Sequence, residues 1–143
     1  MKHLRKEITA EYFNSLGKEY LPGLLNVEIV SLDEGKLNGS MEIKHFHMAP
    51  NGYLHAASIV ALADTCCGYA TVAHLPEGAQ GFTTIELKSN HLGTQRDGKI
   101  HCVATAQHMG RTTQVWDAVV TSEESGNKIA MFRCTQMVLW PKE

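Results

Sequence analysis

The sequence predicts an α+β domain in which an antiparallel β-sheet wraps around one long central helix. Three observations lead there. Residues 54–74, "LHAASIVALADTCCGYATVAH", form a proline-free run of small and apolar residues. Such a run favours a helix, and one that is apolar on most sides needs a sheet around it. Four strand-like runs follow at 81–92, 99–109, 112–123 and 128–140, parted by "GTQRDGK", "MGR" and "ESGN". Those breakers are turn chemistry, so the four runs are expected to form an antiparallel meander. Two further runs precede the helix, joined by "DEGK", a hairpin turn.

The elements follow in order. "TAEYFNSLG" is a short amphipathic segment with Tyr12, Phe13 and Leu16 apolar, Thr9 as N-cap and Gly17 as stop. Pro22 and Gly23 then break the chain, so residues 1–22 are a helical extension of one domain spanning 1–143. Leu25, Val27 and Ile29 alternate in one strand, and Leu37, Met41 and Ile43 in the next. The loop "HMAPNG" leads into the long helix, and "LPEG" ends it. A lone domain of this kind leaves a helix stripe or a sheet edge bare, which association into dimers covers.

Bulk properties narrow the function. The chain has 143 residues, 43% hydrophobic and 20% charged, with a formal net charge of -2. That suits one ordinary globular core, and neither a nucleic-acid partner nor a membrane surface is expected. The start, "MKHLRKEITAEYF", lacks the apolar centre of a signal peptide, and no stretch approaches 18 uninterrupted apolar residues. Cys66, Cys67, Cys102 and Cys134 form no CxxC or zinc spacing, so four reduced, buried thiols in a cytoplasmic protein are expected. His45 and His47 would share one face of a strand. With no third ligand in view, neither a metal nor a cofactor is expected.

Asp64 stands out. Its helical neighbours are Ala57, Val60, Ala61, Cys67, Gly68 and Thr71, none of them a cation. Either it hydrogen-bonds locally and is structural, or it is a general base or nucleophile whose pKa is raised by apolar surroundings. His55 lies nine residues earlier, about 13 Å away along the axis and on the opposite side of the helix. The two cannot pair within one helix. The helix start near His55, Ala56 and Ala57 offers N–H groups that can polarise a carbonyl. If two helices meet antiparallel across a two-fold axis, Asp64 of one faces the start of the other.

"APNGYLHAASIVALADTCCG" resembles the signature of hotdog-fold acyl-CoA thioesterases, in the branch typified by the phenylacetic acid degradation thioesterase. That pattern has an Asn-Gly loop, His-Gly-Gly, and Leu-Ala-Asp nine residues after the histidine; here it reads Asn51-Gly52, His55-Ala56-Ala57 and Leu62-Ala63-Asp64. "ELKSNHL" and the stretch from "HMGRTTQVW" to "CTQMVL" resemble the strands that follow, so the likeness spans about residues 24–140. The resemblance implies a hotdog fold, a homodimer often paired into a homotetramer, and hydrolysis of an acyl-CoA substrate at the dimer interface. It implies Asp64 as catalytic carboxylate, activating water or attacking the carbonyl. It also implies the Ala57 N–H as oxyanion donor, His55 as polarising group and Asn51 as orienting group. Gly52 and Gly68 are expected along the substrate. Asn90 is expected to line the acyl pocket or to sit at a bulge. Lys88, Arg96, Lys99 and Arg111 are candidates for the coenzyme A phosphates, with glycine-flanked Arg111 the best. The double alanine departs from the pattern, since glycine tolerates closer approach. Two rivals remain: a non-catalytic acyl-CoA binding module, and a hotdog hydratase or dehydratase, though no Asp-x-x-x-x-His segment starts at Asp64.

Overall fold

The computed structural model describes residues 3–142. Helix α1 (Ala10–Leu16) starts where Thr9 Oγ1 accepts the Tyr12 N–H and ends at Gly17. Helix α2 (Leu21–Leu24) was not expected. Pro22 lies in its first turn, where proline fits a helix because its missing N–H would be unpaired anyway. Leu25 therefore caps α2 instead of opening a strand, and Asn26 turns the chain with a φ of 62°. Strands β1 (Val27–Asp33) and β2 (Lys36–Glu42) form the expected hairpin around Gly35, at φ 70°.

A 3₁₀ turn, His45–His47, follows in place of a strand. His47 is buried with both ring nitrogens engaged: Nδ1 accepts the Lys44 N–H and Nε2 donates to Leu25 O. His47 thus pins the loop, and among the described residues no group of three His, Cys, Asp or Glu is placed to hold a metal ion. Helix α3 (Ala56–Ala73) is the long central helix. Its 18 residues and mean hydropathy of 1.4 suit a membrane span by length and composition. Here it packs against all six strands, and that enclosure accounts for its composition.

Strands β3 (Gly81–His91), β4 (Lys99–Met109), β5 (Thr113–Ser122) and β6 (Lys128–Leu139) complete an antiparallel sheet ordered β1-β2-β4-β5-β6-β3. Only β4, β5 and β6 form a meander. β3 leaves α3 and docks beyond β6, from Gly81↔Leu139 to His91↔Ala130. The sheet thereby curls around α3 from both sides. On the β2 side, the Cys66 Sγ would lie 2.5 Å from any Cβ at Gly39, so only glycine admits the helix there. On the β4 and β6 sides, the thiols of Cys66 and Cys67 meet those of Cys102 and Cys134. All four cysteines are buried and free.

The two sheet edges differ. At β1 the Asn14 side chain on α1 imitates a neighbouring strand: its Oδ1 accepts the Ile29 N–H at 2.8 Å and its Nδ2 donates to Ile29 O at 3.0 Å. Phe13 anchors α1 there, fully buried and stacked on Tyr69 with ring centroids 4.4 Å apart. Among the described residues β3 has no such cover, and Ile85 and Leu87 are exposed on it.

Candidate active site

The chain enters α3 through a tightly bonded loop. Gly52 takes a φ of 85° at its tip and donates to Ala49 O. Asn51 Oδ1 accepts the Tyr53 N–H, a side chain closing its own turn. Thr94 Oγ1 accepts the Leu54 N–H, and the His55 N–H bonds His47 O. The helix start is thus held from two directions, and Asn51, Gly52, His55 and Ala57 are gathered there, all exposed.

His55 is the N-cap of α3, and its Nδ1 accepts the Ala57 N–H at 2.9 Å. One expectation changes. The Ala57 N–H is not a free donor in this chain, because His55 already occupies it. And a neutral ring whose Nδ1 accepts must carry its proton on Nε2. The helix start therefore presents an imidazole N–H, with its tautomer set by the cap. Ala56 and Ala57 form the first helical turn with ordinary negative φ, since Asn26 is the only non-glycine at positive φ among the described residues. Glycine is not needed there for backbone freedom; the alanines only add methyl groups to the exposed surface.

Asp64 is half-way along α3 and half-buried. Its Oδ1 is shielded from solvent and has no hydrogen-bond partner among the described residues. Burial raises its pKa above the ordinary aspartate value, with no cation offsetting the effect. The purely structural role, a local hydrogen bond, is thus not what the geometry provides. Gly68, one turn on, faces β3: a Cβ there would lie 3.2 Å from the Phe82 ring. Asp64 shares that stripe, so the carboxylate lies towards the uncovered edge.

The remaining candidates scatter. Asn90 does not line the helix side. It pairs with exposed Met131 while its neighbour Ser89 pairs with buried Phe132, and strand alternation puts Asn90 on the outer face with Lys88. The register shift of β3 falls between Thr84 and Glu86, not at Asn90. Arg96 lies over the Tyr53 ring, 5.6 Å from its centroid, beside the helix start. Lys99 opens β4 and is exposed. Arg111 is at the other end of α3, in the β4–β5 turn. It stacks 4.4 Å from the Trp140 ring centroid and lines a cavity of about 900 Å³ with His74, Gln114 and His3. Nearby, Gln114 Nε2 donates to His74 O, and Gln114 Oε1 accepts the Trp116 Nε1–H. Ser89 and Thr94 went unnoticed in the sequence. Their signal lies in strand pairing and loop contact, which no local pattern carries.

The Thioesterase superfamily pattern matches residues 51–129, just over half of the chain and the whole of the region around α3. The chain belongs to this family. It is an enzyme of the thioester hydrolase class with the hotdog architecture, a sheet wrapped on a central helix. It is 31% identical to the 1,4-dihydroxy-2-naphthoyl-CoA hydrolase of Listeria monocytogenes, over 78% of this chain and 89% of that one. The structure of thioesterase HI1161 from Haemophilus influenzae superposes with a TM-score of 0.90 at 31% identity, covering 99% of this chain and 97% of that one. The PaaI protein of the Escherichia coli phenylacetic acid degradation operon shares the fold, with a TM-score of 0.75 at 21% identity over 82% of this chain and 83% of that one.

Proposed function

We propose that the protein hydrolyses acyl-CoA thioesters, with Asp64 of one protomer acting opposite the α3 start of a second. The observation that carries this is Asp64 itself: a shielded carboxylate oxygen with no partner, on a stripe of small residues facing an open edge. The similarity to the 1,4-dihydroxy-2-naphthoyl-CoA hydrolase of Listeria monocytogenes supports the substrate class.

The chemistry follows from the groups available. Asp64 takes a proton from water as the water oxygen attacks the thioester carbonyl. Charge then develops on the carbonyl oxygen, where the His55 Nε2–H and the positive end of α3 stabilise it. The carbon–sulfur bond breaks, the proton passes from Asp64 to the departing sulfur, and free acid and thiol result. A raised pKa suits a base working near neutral pH. Coenzyme A phosphates would meet Arg111, whose guanidinium is fixed in place by Trp140. His55 and Asp64 are about 13 Å apart along one helix, so one chain holds two half-sites and the dimer completes them. Exposed Met131, Met137 and Leu139 on the outer face of β6 suit a further pairing into a tetramer.

Complementation tests the shared site. Asp64→Asn and His55→Ala proteins should each release little thiol from acyl-CoA, and mixing them after dissociation should restore part of the activity. Activity in neither the wild type nor the mixture rejects hydrolysis. Full wild-type activity in a sedimenting monomer rejects the shared site alone.

A further inference from the structure

The backbone just before His55 is held at two consecutive peptide planes. The His55 N–H bonds His47 O at 3.0 Å, and the Leu54 N–H bonds Thr94 Oγ1 at 3.2 Å. A peptide unit is planar, so orienting the units on both sides of Leu54 leaves its φ and ψ little freedom. That fixes where the His55 side chain departs. The ring is then turned by its own bond to the Ala57 N–H, and the direction of the Nε2–H follows.

The two holds are unequal. On the His47 side there are several bonds. The buried His47 ring engages the Lys44 N–H and Leu25 O, and His47 O accepts the Ser58 hydroxyl at 2.8 Å as well as the His55 N–H. On the other side there is one hydroxyl. Among the described residues, Thr94 is the only group from beyond residues 45–58 that hydrogen-bonds the loop 49–54. Thr94 itself stands on a firm base in the β3–β4 loop. Before it, the Leu92 and Gly93 N–H groups both bond Ile129 O. After it, Gln95 Nε2 donates to Asp97 O and Lys99 O, and Gly98 O accepts the Ile43 N–H. Thr94 is exposed and belongs to no core cluster, so what it offers the fold is this hydrogen bond.

We propose that Thr94 is a positioning residue for the reaction: its hydroxyl sets the Tyr53–Leu54 peptide plane and, through it, the aim of the His55 Nε2–H at the thioester carbonyl. This inference rests on His55 as the polarising group and on a site shared between two protomers. A donor stabilises developing charge only where it points at the oxygen. A displacement of about 1 Å can cost about a hundredfold in rate, even when its source is remote from the chemistry. β3 ends at His91, shortly before Thr94. One short loop therefore joins the open edge of a protomer to the helix start of the same protomer.

The test follows thiol release from benzoyl-CoA and hexanoyl-CoA. Thr94→Val and Thr94→Ala should lower kcat about tenfold with KM changed less than about twofold, and Thr94→Ser, which keeps the hydroxyl, should retain the wild-type kcat. The position is exposed, so all three should fold; melting temperatures and sedimentation check that each is a folded dimer. A hybrid of His55→Ala and Asp64→Asn protomers holds one working site, with Asp64 from the first and His55 from the second. Adding Thr94→Val to the Asp64→Asn protomer should cost the hybrid about tenfold, and adding it to the His55→Ala protomer should cost nothing further. Equal losses in the two hybrids overturn the assignment, as do a wild-type kcat in Thr94→Val and Thr94→Ala, or a Thr94→Ser protein as slow as Thr94→Val. A parent hybrid without activity strikes the shared site instead, and the kcat values of the three single variants then decide Thr94. A wild type that releases no thiol from either substrate strikes the thioesterase reading, and the assignment falls with it.

Discussion

The two edges of the sheet are closed by different means. β1 is covered by its own chain: Asn14 fills both backbone bonds of Ile29, and Phe13 locks α1 onto Tyr69. β3 is left open over eleven residues with Ile85 and Leu87 exposed. An uncovered strand of that length invites a second chain. The carboxylate without a partner lies on the β3 side of α3, and among the described residues no other buried carboxylate lacks a partner. The protein uses a helix to retire one edge, and the proposed function gives the other to assembly beside Asp64.

The largest expected effect is at Asp64. Asp64→Asn should lower thiol release at least about a hundredfold while making the fold more stable near neutral pH. The sign follows from the raised pKa. A carboxyl whose folded pKa is raised stabilises the fold fully below its unfolded pKa, and that contribution is lost as pH rises through the folded pKa. Asn cannot ionise and escapes that loss. In the wild type, kcat/KM should rise with pH through a limb above the ordinary aspartate range, and thermal melts of the two proteins should diverge over the same interval. An Asn protein that is no more stable at neutral pH would show that the carboxylate is answered in the assembly.

Next comes the β3 edge. Ile85→Lys with Leu87→Lys should leave the fold intact but give a monomer by sedimentation, with thiol release falling in step with the lost dimer. A charged edge that still dimerises would place the interface elsewhere. On the β1 edge, Asn14→Leu removes two hydrogen bonds and should cost about 2 kcal/mol by denaturant melts, with kcat and the dimer unchanged. If Asn14→Leu instead changes the oligomeric state, the two edges are not independent.

The smallest effect is also on the β1 side. His74 Nε2 accepts the Gly35 N–H at the β1–β2 turn, and Nδ1 donates to Ala70 O. Burial lowers its pKa, so its contribution is present above the unfolded pKa and is lost as pH falls through the folded one. Thermal melts below about pH 6 should lose stability in the wild type and lose less in His74→Gln.

Local chemistry made much of this legible in advance. The run around Asp64 reads as a helix because its composition is uniform over five turns, and the turn at Gly35 declares itself in "DEGK". The nine-residue spacing of His55 and Asp64 already separates them, whatever the sheet does. What escaped depends on partners. Whether Ser89 or Asn90 faces the helix is decided by the pairing of β3 with β6, since both residues are polar and neither announces a side. Gln136 sits in a strongly β-prone run and looks like any solvent-facing residue until Cys134 and Val138 are seen buried on either side of it. The spacing leaves the N–H groups beside His55 open, but its ring turns back as the cap, a contact that spacing does not show. Pro22 suggests a break in sequence, whereas in the fold it sits in the first turn of α2, because a proline can equally open a helix.

The placement of β3 beside β6 also bears on how the chain is made. β3 is complete at His91, and its partner does not begin until Lys128. During synthesis at about 5–20 residues per second, the nascent chain therefore carries a finished apolar helix and a bare strand for several seconds before the segment that receives them leaves the ribosome. Over that interval the strand that becomes the open edge is exposed on both sides, with no partner in its own chain until β6 emerges.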